Sequence, residues 1–283
     1  MLETMGIVGL GYVGTAVLRG MEKVFTVETY DKFKDSTCED IRELCEKTKI
    51  IFICVPTPMR NNGSCDVGIV EGVVREIDDI SDGHTIVIKS TVPPTTTETL
   101  NKKYSNVSIV FSPEFLTEAN YIDDFISSSR IIIGGPRKAA TIIKNIFLKR
   151  FPKKKIIKTG STYAEMVKYL TNTFLATKVS FANEIKNICD QVDVDYDKVV
   201  EYARHDDRLG ETHWSVPGPD GKLGFGGSCF PKDINALIHF SKEIGIEPTV
   251  LSAVWEQNLA LRPERDWEAL VGRAVTKKGI NDD

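Results

Sequence analysis

In the run GFGGSCFPKD, residues 224–233, three glycines crowd up to a single thiol. Glycine exchanges regular structure for backbone freedom, so Gly224, Gly226 and Gly227 would leave bare main chain in front of Cys229, where a substrate could lie. Pro231 suits the first helical position, which places Cys229 just before a helix N-terminus with Lys232 nearby. Both neighbours favour thiolate over thiol, and the thiolate is the nucleophile. Asp233 falls in the same first turn, close to the sulfur. The plain alternative is a buried cysteine at a helix start after a tight turn, which is the usual fate of a lone cysteine.

A second set lies on a helical stretch. Glu165, Lys168 and Asn172 are three and four residues apart and so share one face. Glu165 reads as a helix cap, forming a capping box with Thr162. For Lys168 and Asn172 two readings stay open. They are polar surface, with Lys168 paired to Glu165, or together they hold a developing oxyanion by charge and amide N–H.

A third set opens the chain. GIVGLGYVG contains Gly9-x-Gly11-x-x-Gly14 directly after an apolar run, and Asp31 follows about twenty residues on at the end of a second run. Glycines there let backbone approach a pyrophosphate, a helix N-terminus receives its charge, and the carboxylate binds adenosine ribose hydroxyls. Asp31 would repel a 2′-phosphate, so the expected cofactor is NAD rather than NADP. Its contacts are expected from Gly9, Gly11, Tyr12, Val13, Gly14 and Asp31, with Val55, Pro56, Thr57, Ser90 and Thr91 from later strand ends. Next to such a domain the nucleophilic reading of Cys229 is preferred.

These residues need a scaffold, and the pattern supplies one. Apolar runs at 5–10, 25–31, 50–55, 84–90, 107–112, 129–135 and 154–159 alternate with helical or loop stretches. Strands apolar throughout, with helices between, imply an α/β, doubly wound Rossmann-type parallel sheet over residues 1–160. From Ser161 to about Gln191 there is no glycine or proline, and Val167, Leu170, Phe174, Ile185 and Ile188 recur at helical spacing. One helix of roughly thirty residues, about 45 Å long, is expected. It founds an all-helical central domain over 161–262 that carries Cys229, with a C-terminal tail at 263–283. So long a helix on a small domain is expected to bury its far side against a second copy of itself.

The 283 residues, 41% hydrophobic and 27% charged, are ordinary for a globular protein with one or two cores. No apolar run approaches the roughly 20 residues of a membrane helix, and no signal peptide is visible at the start, so the expected location is cytoplasmic. A net charge of −4 gives no reason to expect nucleic acid. The basic run from Lys149 to Lys158 reads as a solvated helix end leading into a strand. Six cysteines show neither C-x-x-C nor zinc-ligand spacing, so no metal and no disulfide framework are expected.

GIVGLGYVG, STVPP, SPEFLTE, EMVKYLTN, DDRLG and GFGGSCFPKD, in this order over residues 5–260, resemble the UDP-glucose/GDP-mannose dehydrogenase family. The resemblance implies oxidation of the C6 hydroxymethyl of a nucleotide sugar to a carboxylate with two NAD+, UDP-glucose favoured. It implies that Cys229 is the nucleophile, that Lys168 and Asn172 stabilise negative oxygen, and that Asp233 assists water and proton movement. Glu114 resembles the base for hydrolysis, with Thr91 holding a water. Phe115, Leu116, Thr117 and Glu118 resemble the loop that grips the sugar nucleotide, Glu118 also touching cofactor. Lys232 resembles the lysine beside the cofactor, and Arg208 the arginine that reaches substrate across a dimer. Phe225 and Gly226 complete the expected substrate contacts.

Members of that family usually carry a third domain that closes on the nucleotide, for which this sequence has no room. A naturally short form, a split enzyme whose partner chain supplies the lid, and an inactive remnant are the three expectations. Two other functions compete: a two-electron β-hydroxyacid-type dehydrogenase, which leaves the cysteine loop unexplained, and a non-catalytic NAD- or sugar-binding subunit.

Overall fold

In the computed structural model, which describes residues 3–277, the chain forms two compact units. The first is Met1–Thr57 with Asp66–Lys168; the second is Pro58–Cys65 with Tyr169–Asp283.

In the first unit strands and helices alternate: β1 (Thr4–Val8), α1 (Tyr12–Met21), β2 (Thr26–Tyr30), α2 (Ile41–Lys47), β3 (Ile50–Ile53), α3 (Gly68–Ile80) and β4 (Thr85–Ile88). They continue through α4 (Thr96–Lys103), β5 (Ser108–Phe111), α5 (Tyr121–Ser127), β6 (Arg130–Gly134), α6 (Arg137–Arg150) and β7 (Lys155–Thr159). All seven apolar runs are strands of one sheet, in the order β2-β1-β3-β4-β5-β6-β7. Alternate residues of each strand feed two cores. Ile51, Ile53, Ile86, Ile88 and Ile109 meet α2, α3 and α4 on one face, while Ile7, Phe52, Val87 and Val110 meet α1 and α6 on the other. Burial on both faces is why the runs are apolar throughout.

One pairing departs from the all-parallel expectation: β6 runs antiparallel to β5, through Phe111 and Gly134. A parallel return needs a crossover that carries the chain back along the sheet. The link from β5 to β6, which runs through α5, makes no such crossover.

The parallel strands β1, β3, β4 and β5 end together at Val8, Ile53, Ile88 and Phe111. Gly9, Cys54–Thr57, Lys89–Thr91 and Ser112–Glu118 therefore share one edge of the sheet. Successive strands pass to opposite sides of β1, so a crevice opens at the carboxyl ends of β1 and β3.

The long helix α7 spans Ser161–Gln191, 31 residues, as the missing glycines and prolines predict. It is followed by α8 (Tyr196–Ala203), α9 (Cys229–Glu243) and α10 (Thr249–Leu261). Ala176, Phe225, Ile234 and Val254 form one core of the second unit, and Ala182, Cys189, Tyr196 and Val216 another.

The boundary between units lies inside α7, after Lys168, rather than at residue 160. Pro58–Cys65 also belongs to the second unit, because Met59 exchanges backbone hydrogen bonds with Ala274 and Thr276 at 2.8 and 2.9 Å. Residues 263–277, expected as a tail, are packed: Trp267 is buried beside Trp255, ring centroids 5.2 Å apart. The end of that expected tail, 278–283, lies outside the described residues. The basic run closes α6 and enters β7, and its side chains are bonded locally, Lys154 to the Phe125 carbonyl at 2.9 Å and Lys158 to Thr141 at 2.8 Å.

Candidate active site

The glycine turn sits over the β1–β3 crevice. Gly9 has φ +93° with its Cα hydrogens against the Cys54 carbonyl, so a side chain would be both strained and blocked. A Cβ on Gly14 would stand 1.8 Å from the Gly9 oxygen, whereas one on Gly11 would meet nothing within 4 Å. Gly9 and Gly14 thus close the turn on itself, and Gly11 keeps its outer side open for a ligand. Gly11 is the N-cap of α1, whose first turn, from Tyr12 through Val13 and Gly14, presents the N–H end of the helix to that space.

Asp31 pins the turn from the other side. Its carboxylate accepts from Leu10 N at 2.6 Å, Phe33 N at 2.9 Å and Lys34 N at 3.1 Å, while Lys34 Nζ donates to the Leu10 carbonyl at 2.6 Å. Three bonds leave a carboxylate room to accept from a ribose hydroxyl. The residues present therefore fit a dinucleotide with a free 2′-hydroxyl. From the neighbouring strand ends, Ser90 Oγ donates to the Val55 carbonyl at 2.6 Å and so ties Val55-Pro56-Thr57 to Ser90-Thr91.

On the same edge, after β5, lies Glu114. Lys168 Nζ, buried at 3% exposure, is 2.8 Å from Glu114 Oε1 and 2.8 Å from its carbonyl. Leu116 N donates to Oε2 at 2.7 Å. Burial pushes the carboxyl up, but the Lys168 charge and hydrogen bond, the Leu116 N–H and the Lys89 charge together outweigh it and hold Glu114 below its ordinary value. Glu114 is thus an anion in a dry place. Phe115 lies under the Arg130 guanidinium, 4.6 Å from ring centroid, and Thr117 donates to Asp124 from both N–H and hydroxyl. Leu116 packs into the core beneath, and Glu118 is exposed.

Glu165 does not cap its own helix, and Lys168 does not pair with it. The Glu165 carboxylate accepts from Thr95 N at 2.7 Å and Thr97 N at 2.8 Å, the N-terminus of α4. One place past the first turn of α7 it faces inward, where the orphan N–H groups of another helix are nearer than its own.

The second unit holds the cysteine. Ser228 is the N-cap of α9, and Cys229 is the first helical residue rather than the one before the helix. Pro231 is third, a position it tolerates because first-turn N–H groups have no helical acceptor. Asp233 is therefore fifth, one place past the first turn, and its side chain turns inward. Asn172 Nδ2 donates to Asp233 Oδ2 at 2.6 Å, and Lys232 Nζ is 2.5 Å from Asp233 Oδ1. Asn172 is thus a buried partner, not polar surface. Burial lowers the proton affinity of Lys232, but the negative charge of Asp233 and the hydrogen bond to it more than restore it and hold the ammonium above its usual range. A permanent cation therefore stands three residues along α9 from the Cys229 thiol, which is partly exposed.

The glycines before Cys229 serve the protein itself as well as any ligand. A Cβ on Gly224 would meet Asn258 Oδ1 at 2.4 Å, and one on Gly226 would meet the Arg262 guanidinium at 2.5 Å. Asn258 grips Phe225, accepting from its N–H at 2.7 Å and donating to its carbonyl at 3.0 Å. Arg262, buried, donates to the Leu223 carbonyl at 3.3 Å and pairs with Asp220 and with Asp266, the latter at 2.7 Å. Gly227, φ +70°, has open space where a Cβ would be. Sequence reading missed Asn258 and Arg262; the only available signal was Arg262 four residues before Asp266 at a helix end. Arg208 is on a 3₁₀ turn, exposed and paired with Asp206.

Among the described residues no helix is long and apolar enough to cross a membrane. No group of three or more His, Cys, Asp or Glu there could hold a metal ion.

The turn at the β1–β3 crevice makes the first unit a dinucleotide-binding domain of the kind found in dehydrogenases. Residues 18–150 match the UDP-glucose/GDP-mannose dehydrogenase family, NAD binding domain, and residues 162–260 match the central domain of the same family. The chain belongs to the UDP-glucose/GDP-mannose dehydrogenase family, and its cofactor is NAD. It is 35% identical over 259 residues to UDP-glucose 6-dehydrogenase AglM of Haloferax volcanii, covering 84% of this chain and 58% of that protein. It is 37% identical over 228 residues to UDP-glucose 6-dehydrogenase TuaD of Bacillus subtilis, covering 77% and 48%. A solved UDP-glucose dehydrogenase from the archaeon Pyrobaculum islandicum is similar over 95% of this chain and 71% of that one, with TM-score 0.82 and 30% identity. The chain spans about half the length of these curated relatives.

Proposed function

We propose that the protein oxidises the C6 hydroxymethyl of a nucleotide sugar, UDP-glucose first, to the carboxylate by way of a covalent intermediate on Cys229. The observation that carries this reading is the largely buried Lys232 ammonium, paired with Asp233 at 2.5 Å and three residues along α9 from the Cys229 thiol. NAD+ supplies the acceptor for one hydride at each of two steps.

Loss of the first hydride and the hydroxyl proton leaves an aldehyde, which cannot reach the acid level until something adds to its carbonyl carbon. The Cys229 thiolate adds, forming the C–S bond and moving the carbonyl electron pair onto oxygen. Lys232 stabilises the thiolate before attack. The Asn172 amide and the Lys168 ammonium stabilise the resulting oxyanion. Loss of the second hydride from this thiohemiacetal leaves a thioester, and water attacks it to release carboxylate and thiol. Glu114, with Thr91 to orient the water, takes the water's proton. An oxyanion that shares the Lys168 charge weakens its hold on Glu114, and the carboxylate becomes a stronger base at the step that needs one. Asp233 keeps Asn172 and Lys232 oriented and accepts the proton that moves beside the thiol.

Phe115-Leu116-Thr117-Glu118, Phe225 and Gly226 are assigned to the sugar nucleotide, and Val55, Pro56, Thr57, Ser90, Thr91, Glu118 and Lys232 to the cofactor. Arg208 is assigned to substrate bound by a second copy. The homodimer is proposed to form along α7, where Tyr163, Met166, Leu170, Phe174, Phe181 and Ile188 make an exposed apolar stripe. A further chain segment that closes on the nucleotide is a partner the relatives' greater length leaves room for.

The test is absorbance at 340 nm with UDP-glucose, and with other nucleotide sugars in parallel. Two NADH per sugar are expected, and Cys229→Ser should abolish complete oxidation. One NADH per substrate would select the two-electron alternative. A full double oxidation by Cys229→Ser would overturn the role of the thiol.

A further inference from the structure

Lys89 is a charged residue of this edge that the proposed reaction leaves unused. It follows β4 directly and is buried at 3% exposure. Its Nζ reaches the Pro113 carbonyl at 3.2 Å and Ser112 Oγ at 3.5 Å, with the Phe125 ring centroid at 6.0 Å. None of these is a carboxylate, and among the described residues the ammonium has no ion pair. A cavity of about 20 Å³, lined by Lys89, Pro113, Glu114, Phe115, Leu116 and Arg130 among others, lies beside it. That is room for one water molecule, which needs about 10–15 Å³.

Glu114 is therefore gripped from both ends of its own peptide. Lys168 takes its carbonyl and Oε1, and Lys89 takes the carbonyl of the residue just before it. We infer that Lys89 is a positioning residue for the water-activating carboxylate: by bonding Pro113 and facing Glu114 across the cavity, it sets where Glu114 points and keeps it anionic. The inference rests on the proposed role of Glu114.

The energetics support it. Charged groups facing Lys89 are Glu114 from the loop after β5 and Lys168 from α7; Cys54 at the end of β3 is a neutral thiol, and Arg130 lines the far side of the cavity. Burial is the main influence and lowers Lys89 to about 8; Glu114 pulls upward and Lys168 downward. An unfolded lysine titrates near 10.4. Between those values the unfolded chain binds more protons, so stability rises with pH through the window and the cost of Lys89 is full below pH 8. A residue that weakens the fold at neutral pH and sits against a reactive carboxylate has the mark of function over stability.

Three readouts on the whole chain test this with Lys89→Met, and with Lys89→Gln in case the first variant does not fold. Carbon-13 NMR of labelled glutamate, assigned with Glu114→Gln, should show Glu114 titrating at higher pH than in the parent. An unchanged Glu114 titration in both variants would overturn the inference, whether or not the enzyme turns over. Melting curves should place Lys89→Met above the parent at pH 7, with the gap closing towards pH 10.5; a variant that melts lower at pH 7 counts against the unpaired cation. In turnover, kcat should fall about tenfold with KM for the nucleotide sugar unchanged, and acyl-enzyme should accumulate by intact mass. A parent that forms no NADH at all would refute the proposed reaction while leaving the NMR result to decide on Lys89.

Discussion

Two glutamates of the first unit, Glu165 buried and Glu114 nearly so, both accept backbone N–H groups, yet they are driven in opposite directions. Glu165 receives Thr95 N and Thr97 N and meets no cation among the described residues; burial wins, and its proton affinity is raised. Glu114 receives Leu116 N and the Lys168 ammonium, and despite burial its proton affinity is lowered. A neutralising charge at 2.8 Å decides the ionisation where backbone dipoles alone do not. The first carboxyl is a joint between two helices, and the second is an ion-paired carboxylate, the one proposed as base.

Exchanging each glutamate for its amide separates the two roles. Glu114→Gln removes the only group proposed to deprotonate water, so turnover should drop by about 100-fold or more in a stopped-flow assay of the hydrolytic step. Glu165→Gln should leave that step within a few-fold of the parent. Loss of turnover in both would mean that Glu165 is more than a joint.

Stability follows next in size. Glu114→Gln strands the buried Lys168 and should cost about 3 kcal/mol by urea denaturation. Glu165→Gln keeps one acceptor oxygen for two N–H groups and should cost about 1 kcal/mol.

The pH dependence of those costs sharpens the contrast, because the signs differ. Glu114 is lowered in the fold, so its contribution is present above the unfolded value near 4.3 and is lost as pH falls through the folded value. Glu165 is raised, so its contribution is present in acid and is lost as pH rises through the folded value. Melting curves from pH 3 to 7 should show the deficit of Glu114→Gln growing with pH and that of Glu165→Gln shrinking. Parallel trends would refute the opposite ionisations.

The smallest effect concerns Thr95, whose backbone is left-handed at φ +78° while its N–H is held by Glu165. A β-branched residue there is strained. Thr95→Gly should stabilise the fold by about 0.5 kcal/mol, relief of strain slightly exceeding the extra entropy of an unfolded glycine. A loss of more than 1 kcal/mol would assign the Thr95 side chain a packing role instead.

The seven strands, the 31-residue helix and the glycine turn were all legible in the residues, since each depends on patterns within about thirty positions. Spacing singled out Lys168 but not its partner: helical spacing offered Glu165, and the fold supplied Glu114, 54 residues away in sequence. The same holds for Asn172, whose acceptor Asp233 is 61 residues distant. Gly224 and Gly226 announced a need for space, but not that Asn258 and Arg262 fill part of it.

By itself the sequence determined the periodic things: apolar runs that must be covered on both faces, a helix without breakers, a glycine turn before a helix and a carboxylate after the next strand. These are local because backbone geometry repeats over a few residues, and a motif of that length carries its own conformation. Only the tertiary structure decided which charges meet. A buried carboxylate is neutral or ionic according to which cation the fold carries to within 3 Å of it, and that depends on loops and helix ends that no spacing rule connects.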